Sequence, residues 1–260
     1  MFSAFTYASA CLLSDMELYN VINLYAYKLI PVFIRVAVML AFIPFIGAQQ
    51  TPVMVRAGLA LALTLMLLPI VKVDMDNPER AIFEAFFVGV AMGLTARIIL
   101  GAIDMAAQWI SVEMGLTVAA VFNPLFQEQL GPVSLFYTML SMTLFFLFDV
   151  HHYFIEGIVR SFDITSINYN GVFSSVIKLN EFFFPLAFKI AAPVLVVQVL
   201  TNLAMGFLSK AIPQANIFFI SMPLLIVLGV VFMILSMPVS IAVIEKAFMN
   251  MEDTIMVITR

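Results

Sequence analysis

From Ala211 to Ile244 the chain runs for 34 residues without an aspartate, glutamate, lysine or arginine. Four further charge-free runs precede it: Val36–Val55 (20 residues), Ala57–Val71 (15), Gln129–Phe148 (20) and Ile190–Ser209 (20). A helix needs about 20 residues to cross the roughly 30 Å of bilayer hydrocarbon, so these runs have the length of membrane helices. Apolar segments that do hold charges lie between them, among them Asn20–Val36 with Lys28 and Arg35 and Ala85–Ile110 with Arg97 and Asp104. The fold class expected is all-α, with six or more long helices. No stretch alternates apolar and polar residues over the roughly ten positions that a membrane β-strand requires.

Composition decides what such helices face. The chain is 63% hydrophobic and 11% charged with a mean hydropathy of +1.10, against about half apolar and a quarter charged in soluble domains. There is too little polar side chain to cover a globule surrounded by water, so the chain belongs in a bilayer or packed against one. Twelve Lys and Arg against sixteen Asp and Glu leave a net charge of −4, which offers no basic surface for a phosphate backbone and disfavours nucleic acid as a partner. The lone Cys11 makes no intrachain disulfide and no thiolate metal site. Met1–Leu13 has no preceding basic residue and is followed by Asp15 and Glu17, so a removable signal peptide is not expected.

Two irregularities disturb the picture of simple spanning rods. Proline recurs within or beside the apolar segments, at Pro31, Pro44, Pro69, Pro185, Pro193, Pro223 and Pro238, and each should bend or stop its helix. Broken helices survive in lipid only where the freed carbonyls meet protein or water, which points to a larger assembly or a lined cavity. The connections each hold one or two Lys and Arg, so no side collects positive charge and no orientation follows. The polar connection Asp149–Glu181 separates the N-terminal two thirds from a C-terminal hairpin.

The helix expected over Ala85–Gly115 is the most informative. Gly89, Gly93, Arg97, Gly101, Asp104, Gln108, Ser111 and Gly115 recur every three or four residues and share one stripe. The glycines permit close backbone approach, and Arg97 and Asp104 are placed to pair with each other or across an interface. A buried interhelical seam in a multisubunit assembly ranks above a substrate or proton pathway. A rival from another class is a small secondary transporter or channel with Arg97 and Asp104 in its pathway. Such a fold usually carries inverted repeats, and none is seen.

After this helix, Met114, Gly115, Leu116, Thr117, Val118, Ala119, Ala120, Val121, Phe122, Asn123, Pro124, Leu125 and Phe126 form an apolar connection where polar residues are the norm. Two readings stand level: a re-entrant loop or plug that closes a pore, and a short buried helix with a turn at Asn123-Pro124. His151 and His152 are neighbours and on a helix should point about 100° apart, too divergent to chelate one ion. The HExxH pattern is absent, so no metal is expected. Eighteen Met and twenty-six Phe suit soft seals as well as ordinary packing. No nucleophile elbow, phosphate loop or dinucleotide fingerprint occurs, so neither catalysis nor a cofactor is expected.

One segment is specific enough to name a family. Thr201-Asn202-Leu203-Ala204-Met205-Gly206-Phe207-Leu208-Ser209-Lys210-Ala211-Ile212-Pro213-Gln214-Ala215-Asn216-Ile217-Phe218 closely resembles the C-terminal signature of the FliR family of flagellar type III export proteins, with Pro213, Gln214, Asn216 and Phe218 as its core. Arg35, Pro44, Pro52, Pro69, Met114-Gly115-Leu116, His151 and Ser161-Phe162 also fall as in that family, over residues 20 to 250. Asn123 stands where the family usually has Asp, and Asp149-Val150 where it has Asn-Gly. Injectisome export proteins share much of the pattern, and Pro223 favours the flagellar branch. The resemblance implies a non-enzymatic subunit of an export gate, assembled helically with FliP and FliQ homologues and joined by an FlhB homologue. Transient partners would be unfolded protein substrates, rod and other export proteins, and inner-membrane lipid. It implies a FliP-like part over 1–180, including the plug loop 114–129, and a FliQ-like hairpin over 181–260. It also implies an assembly at the basal body of the flagellum in the inner membrane, much of it on the periplasmic side.

Overall fold

The computed structural model describes residues 27–44, 51–73, 77–116, 131–163, 168–214 and 216–259. Every regular element among them is a helix and none is a strand, as the charge-free runs predict. In chain order these are α1 (27–42), α2 (Val53–Leu67), α3 (Pro78–Glu113), α4 (Pro132–Leu147), α5 (Val150–Arg160), α6 (Tyr169–Glu181), α7 (Phe183–Ala211) and α8 (Ile217–Ile258). Pro78 and Pro132 open α3 and α4, where the missing N–H is one that the helix would leave unpaired anyway.

At three places a proline does not stop its helix. Pro193 lies inside the 29-residue α7, and Pro223 and Pro238 lie inside the 42-residue α8, all without ending the helix. Each removes one hydrogen bond while fixing φ near its helical value, and a long apolar helix continues through that loss. The sharp break falls instead between α4 and α5, which are bent by 60°. There Asp149 takes φ 55°, the one positive value outside glycine among the described residues. Aspartate tolerates the left-handed region better than most residues, and a single such residue redirects the chain.

Three helices are long and apolar enough to cross a membrane, Pro78–Glu113, the continuous Tyr169–Ala211 and Phe219–Ile258, and the bent α4–α5 pair makes a fourth if counted as one span. They differ in cover. The most apolar window of α3 is 61% buried within the chain, whereas those of α6–α7 and α8 are 28% and 22% buried. α3 is therefore the most covered of the three, and the C-terminal hairpin leaves most of its apolar surface exposed.

The helices group into two units. The first holds the described residues up to Leu94, with Phe154–Phe173 and those from Met256 on. Its core sets Val32, Val36, Met39 and Leu40 of α1 with Ala85, Val88 and Met92 of α3, all buried. The second holds Thr95–Tyr153 and Ser174–Ile255. Its core is built from Ile99, Ile103, Ala106 and Ile110 of α3, Tyr137 and Phe145 of α4, Ile190 and Val194 of α7, and Ile244, Phe248 and Met251 of α8. Alanines at 102, 106 and 107 of α3 have no exposed surface, the small-residue packing by which helices associate where water cannot drive them together.

Candidate functional site

In the first unit the glycine stripe of α3 does what its spacing predicts. A Cβ on Gly89 would stand 2.8 Å from the Arg35 carbonyl oxygen, and one on Gly93 would stand 2.7 Å from Phe42 Cβ and 3.0 Å from the Met39 carbonyl oxygen. α1 thus lies against α3 at backbone contact, which only glycine allows.

The same contact seats Arg35, 2% exposed. Its Nη1 donates to Ser161 Oγ at 2.6 Å, and its guanidinium lies 3.6 Å above the Phe162 ring. Burial disfavours the charged guanidinium, and the Glu84 carboxylate offsets part of that cost. The hydroxyl and the ring face supply the rest of the compensation that a buried cation requires. Arg35 also lines a cavity of about 520 Å³ with Lys72, Asn77, Arg80, Glu84 and Asp163. Three positions noted separately in the sequence, Arg35, Ser161 and Phe162, are one cluster.

In the second unit the polar stripe divides. Asp104, half-buried, accepts a hydrogen bond from Thr138 Oγ1 of α4 at 3.1 Å. Arg97 and Gln108 are exposed, and no ion pair joins Arg97 to Asp104. Gly101 faces the Phe183 ring, whose Cε2 would be 3.4 Å from an added Cβ. Ser111 is buried. Asp104 therefore forms an interhelical seam with α4, and Arg97 stands on the surface.

α3 ends in a glycine-based cap. Gly115 takes φ 73°, its N–H donates to the Val112 carbonyl at 3.0 Å, and the Leu116 N–H donates to the Ser111 carbonyl at 3.1 Å. This pair of bonds around a left-handed glycine satisfies the last carbonyls of the helix and turns the chain off its axis. Three successive residues at this end meet the C-terminal hairpin. Glu113 Oε2 lies 3.5 Å from Asn202 Nδ2 of α7. Met114, 1% exposed, fills the space over Gly229 of α8, where a Cβ would be 2.5 Å from Met114 Cγ. A Cβ on Gly115 would be 3.5 Å from Met222 Cε. Beside them the fully buried Gln198 of α7 donates from Nε2 to the Leu225 carbonyl of α8 at 2.7 Å.

The root of the apolar connection is thus clamped by the hairpin. Thr117, Val118, Ala119, Ala120, Val121, Phe122, Asn123, Pro124, Leu125 and Phe126 lie outside the described residues. Sequence reasoning missed Gly229, Gln198 and Met222. A signal existed for the first, because Gly229 is the sole glycine of the charge-free run 211–244.

The signature turn joins α7 to α8. Pro213, Gln214 and Asn216 are all exposed, and the Asn216 carbonyl accepts from the Phe219 N–H at 3.2 Å at the start of α8. Phe218 falls within α8. Gln214 and Asn216 meet none of the described side chains by a hydrogen bond, so the turn at 213–216 presents them outward.

At the α4–α5 bend the histidines do not diverge as expected. Their ring centroids are 4.1 Å apart at 34°, and His152 Nδ1 is 3.3 Å from Asp149 Oδ1.

Residues 26–251 match the model of the family described as bacterial export proteins, family 1. The chain is similar to flagellar biosynthetic protein FliR of Caulobacter vibrioides, 30% identical over 217 residues that cover 79% of this chain and 86% of the relative. It is also similar to flagellar biosynthetic protein FliR of Bacillus subtilis, 27% identical over 230 residues (84% and 88%), and to that of Escherichia coli, 26% identical over 237 residues (87% and 89%).

Proposed function

The chain belongs to the FliR family of bacterial export proteins, and from that premise we propose that it is a non-enzymatic subunit of the flagellar export gate in the bacterial inner membrane. It is a membrane protein of flagellar biogenesis. In the proposed gate it assembles with FliP and FliQ homologues and is joined by an FlhB homologue, over a FliP-like part to Asn180 and a FliQ-like hairpin beyond it.

The observation that carries this reading is the clamp at the end of α3. Glu113, Met114 and Gly115 are all held by α7 and α8, so the apolar connection that follows leaves from a fixed point. A fixed root supports a plug better than a free loop does: a plug must return to one place after each substrate passes. The 22% cover of α8 supports partners along the hairpin, since its exposed Phe219, Val227, Ile234 and Leu235 need protein or lipid around them. Asp104 and the exposed Arg97 act in packing and in contact with other subunits.

Deleting Leu116–Phe126 in cells that express the whole gate is expected to make the membrane leaky to small ions while the complex still assembles. Unchanged permeability with a fully assembled complex would remove the plug from this reading. Failure of the chain to co-purify with FliP and FliQ homologues would remove the gate itself.

A further inference from the structure

We propose that Asp149, His151 and His152 bind one divalent transition-metal ion at the bend between α4 and α5. The chain has two histidines in all, and both are here. One ligand atom from each of the three residues can be chosen so that all lie within 4.8 Å of one another, close enough for small side-chain rotations to bring them onto a single ion. Both histidines lie in the first turn of α5, and their side chains still bring the two rings to 4.1 Å.

Their surroundings favour this use. His151 is held against Phe146 and Phe145, at ring centroid distances of 5.3 and 6.5 Å, so its ring is oriented before any ion arrives. Its Nδ1 is enclosed and has no hydrogen-bond partner among the described residues. Asp149 Oδ1 and His152 Nδ1 are 3.3 Å apart, the spacing of two ligand atoms that share one tetrahedral ion. The Asp149 and His152 side chains are 69% and 65% exposed, so an ion has an open path and water can complete its coordination.

Two imidazoles and a carboxylate suit zinc, cobalt, nickel or copper better than magnesium or calcium, which prefer oxygen donors. The N-terminus of α5 opposes a cation, and the carboxylate offsets it. Binding would tie the residue that makes the bend to the first turn of the helix beyond it, fixing the angle between α4 and α5.

The test uses the full chain without a histidine tag, purified with its partners, in a Cys11→Ser background that removes the lone thiol. Co2+ is followed by its visible absorption and Zn2+ by calorimetry. The expected result is one saturable ion per chain, a rise in melting temperature with Zn2+, and affinity weakened about 10- to 100-fold in His152→Ala and in Asp149→Asn. The absence of saturable binding in the folded parent would overturn the proposal. So would equal affinity in a His151→Ala/His152→Ala variant whose metal-free melting temperature matches the parent's. Should that double variant not fold, an unchanged affinity in Asp149→Asn and His152→Gln would overturn it instead.

Discussion

Replacing Gly229 by alanine tests whether α8 clamps the end of α3. The added Cβ would stand 2.5 Å from Met114 Cγ, 2.6 Å from Gln198 Nε2 and 2.8 Å from Met114 Cε. Cγ moves only if χ1 of Met114 changes, which the enclosure of this side chain, 1% exposed, opposes. Gln198 Nε2 is at the end of its side chain but is pinned by its bond to the Leu225 carbonyl. Overpacking of this kind costs about 1–3 kcal/mol, and displacing a buried amide from its acceptor costs about 1–3 kcal/mol. Alanine returns about 1 kcal/mol through helix propensity. The net expectation is a loss of about 3 kcal/mol.

Thermal unfolding of the purified complex in detergent measures it. At about 2–4 °C per kcal/mol for a chain of this size, the melting temperature should fall by roughly 6–12 °C. Gly58→Ala in α2 is the control, because nothing lies within 4 Å of a Cβ there and the same change should be neutral or stabilising. Combining Gly229→Ala with Met114→Ala removes the Cγ that clashes, so the double variant should be less damaged than the sum of the two by at least about 1 kcal/mol. A Gly229→Ala chain that melts at or above the parent, or a cycle that is strictly additive, would refute the clamp.

Two further substitutions probe the first unit. Gly89→Ala drives a Cβ to 2.8 Å from a backbone carbonyl that no side-chain rotation can relieve, and a net loss of about 1–2 kcal/mol after the propensity gain should appear as a lower melting temperature. Arg35→Lys keeps the charge but cannot both reach Ser161 and lie flat on Phe162, so a loss of about 2 kcal/mol is expected in the same assay; a melting temperature equal to the parent's would show that charge alone is what the position needs.

How far these sites were legible in the sequence depends on the range of the interaction. Hydrophobic runs and the four-residue glycine spacing act within one helix, so the all-α fold and the close approach at Gly89 and Gly93 follow from periodicity alone, whereas α3 opens at Pro78 and not at the expected Ala85. Arg35 and Ser161 are 126 residues apart. Periodicity assigns each to a face and says nothing of which face it meets. The family resemblance noted both without joining them. The same limit hid Gly229, whose reason is a methionine on another helix. Asp149 illustrates a different limit. Seven prolines drew the expectation of broken helices, yet the 60° bend arises at a residue whose left-handed backbone no composition rule singles out.

Gly206 turns the question of what covers the hairpin into a measurement. It lies inside α7 with nothing within 4 Å of a Cβ, flanked by Leu203 and Phe207, which are 56% and 65% exposed. A glycine in a helix interior forfeits about 1 kcal/mol relative to alanine, and no contact among the described residues returns that loss. A neighbouring helix pressed against it would, since glycine is what lets two backbones meet. Lipid has no such requirement. Gly206→Ala should therefore leave the chain by itself as stable as before or more so, while reducing its co-purification with partner subunits and the export they support. If the variant assembles and exports at the parent's level, no helix packs closely at this point of α7, and the exposed face around it is left to lipid.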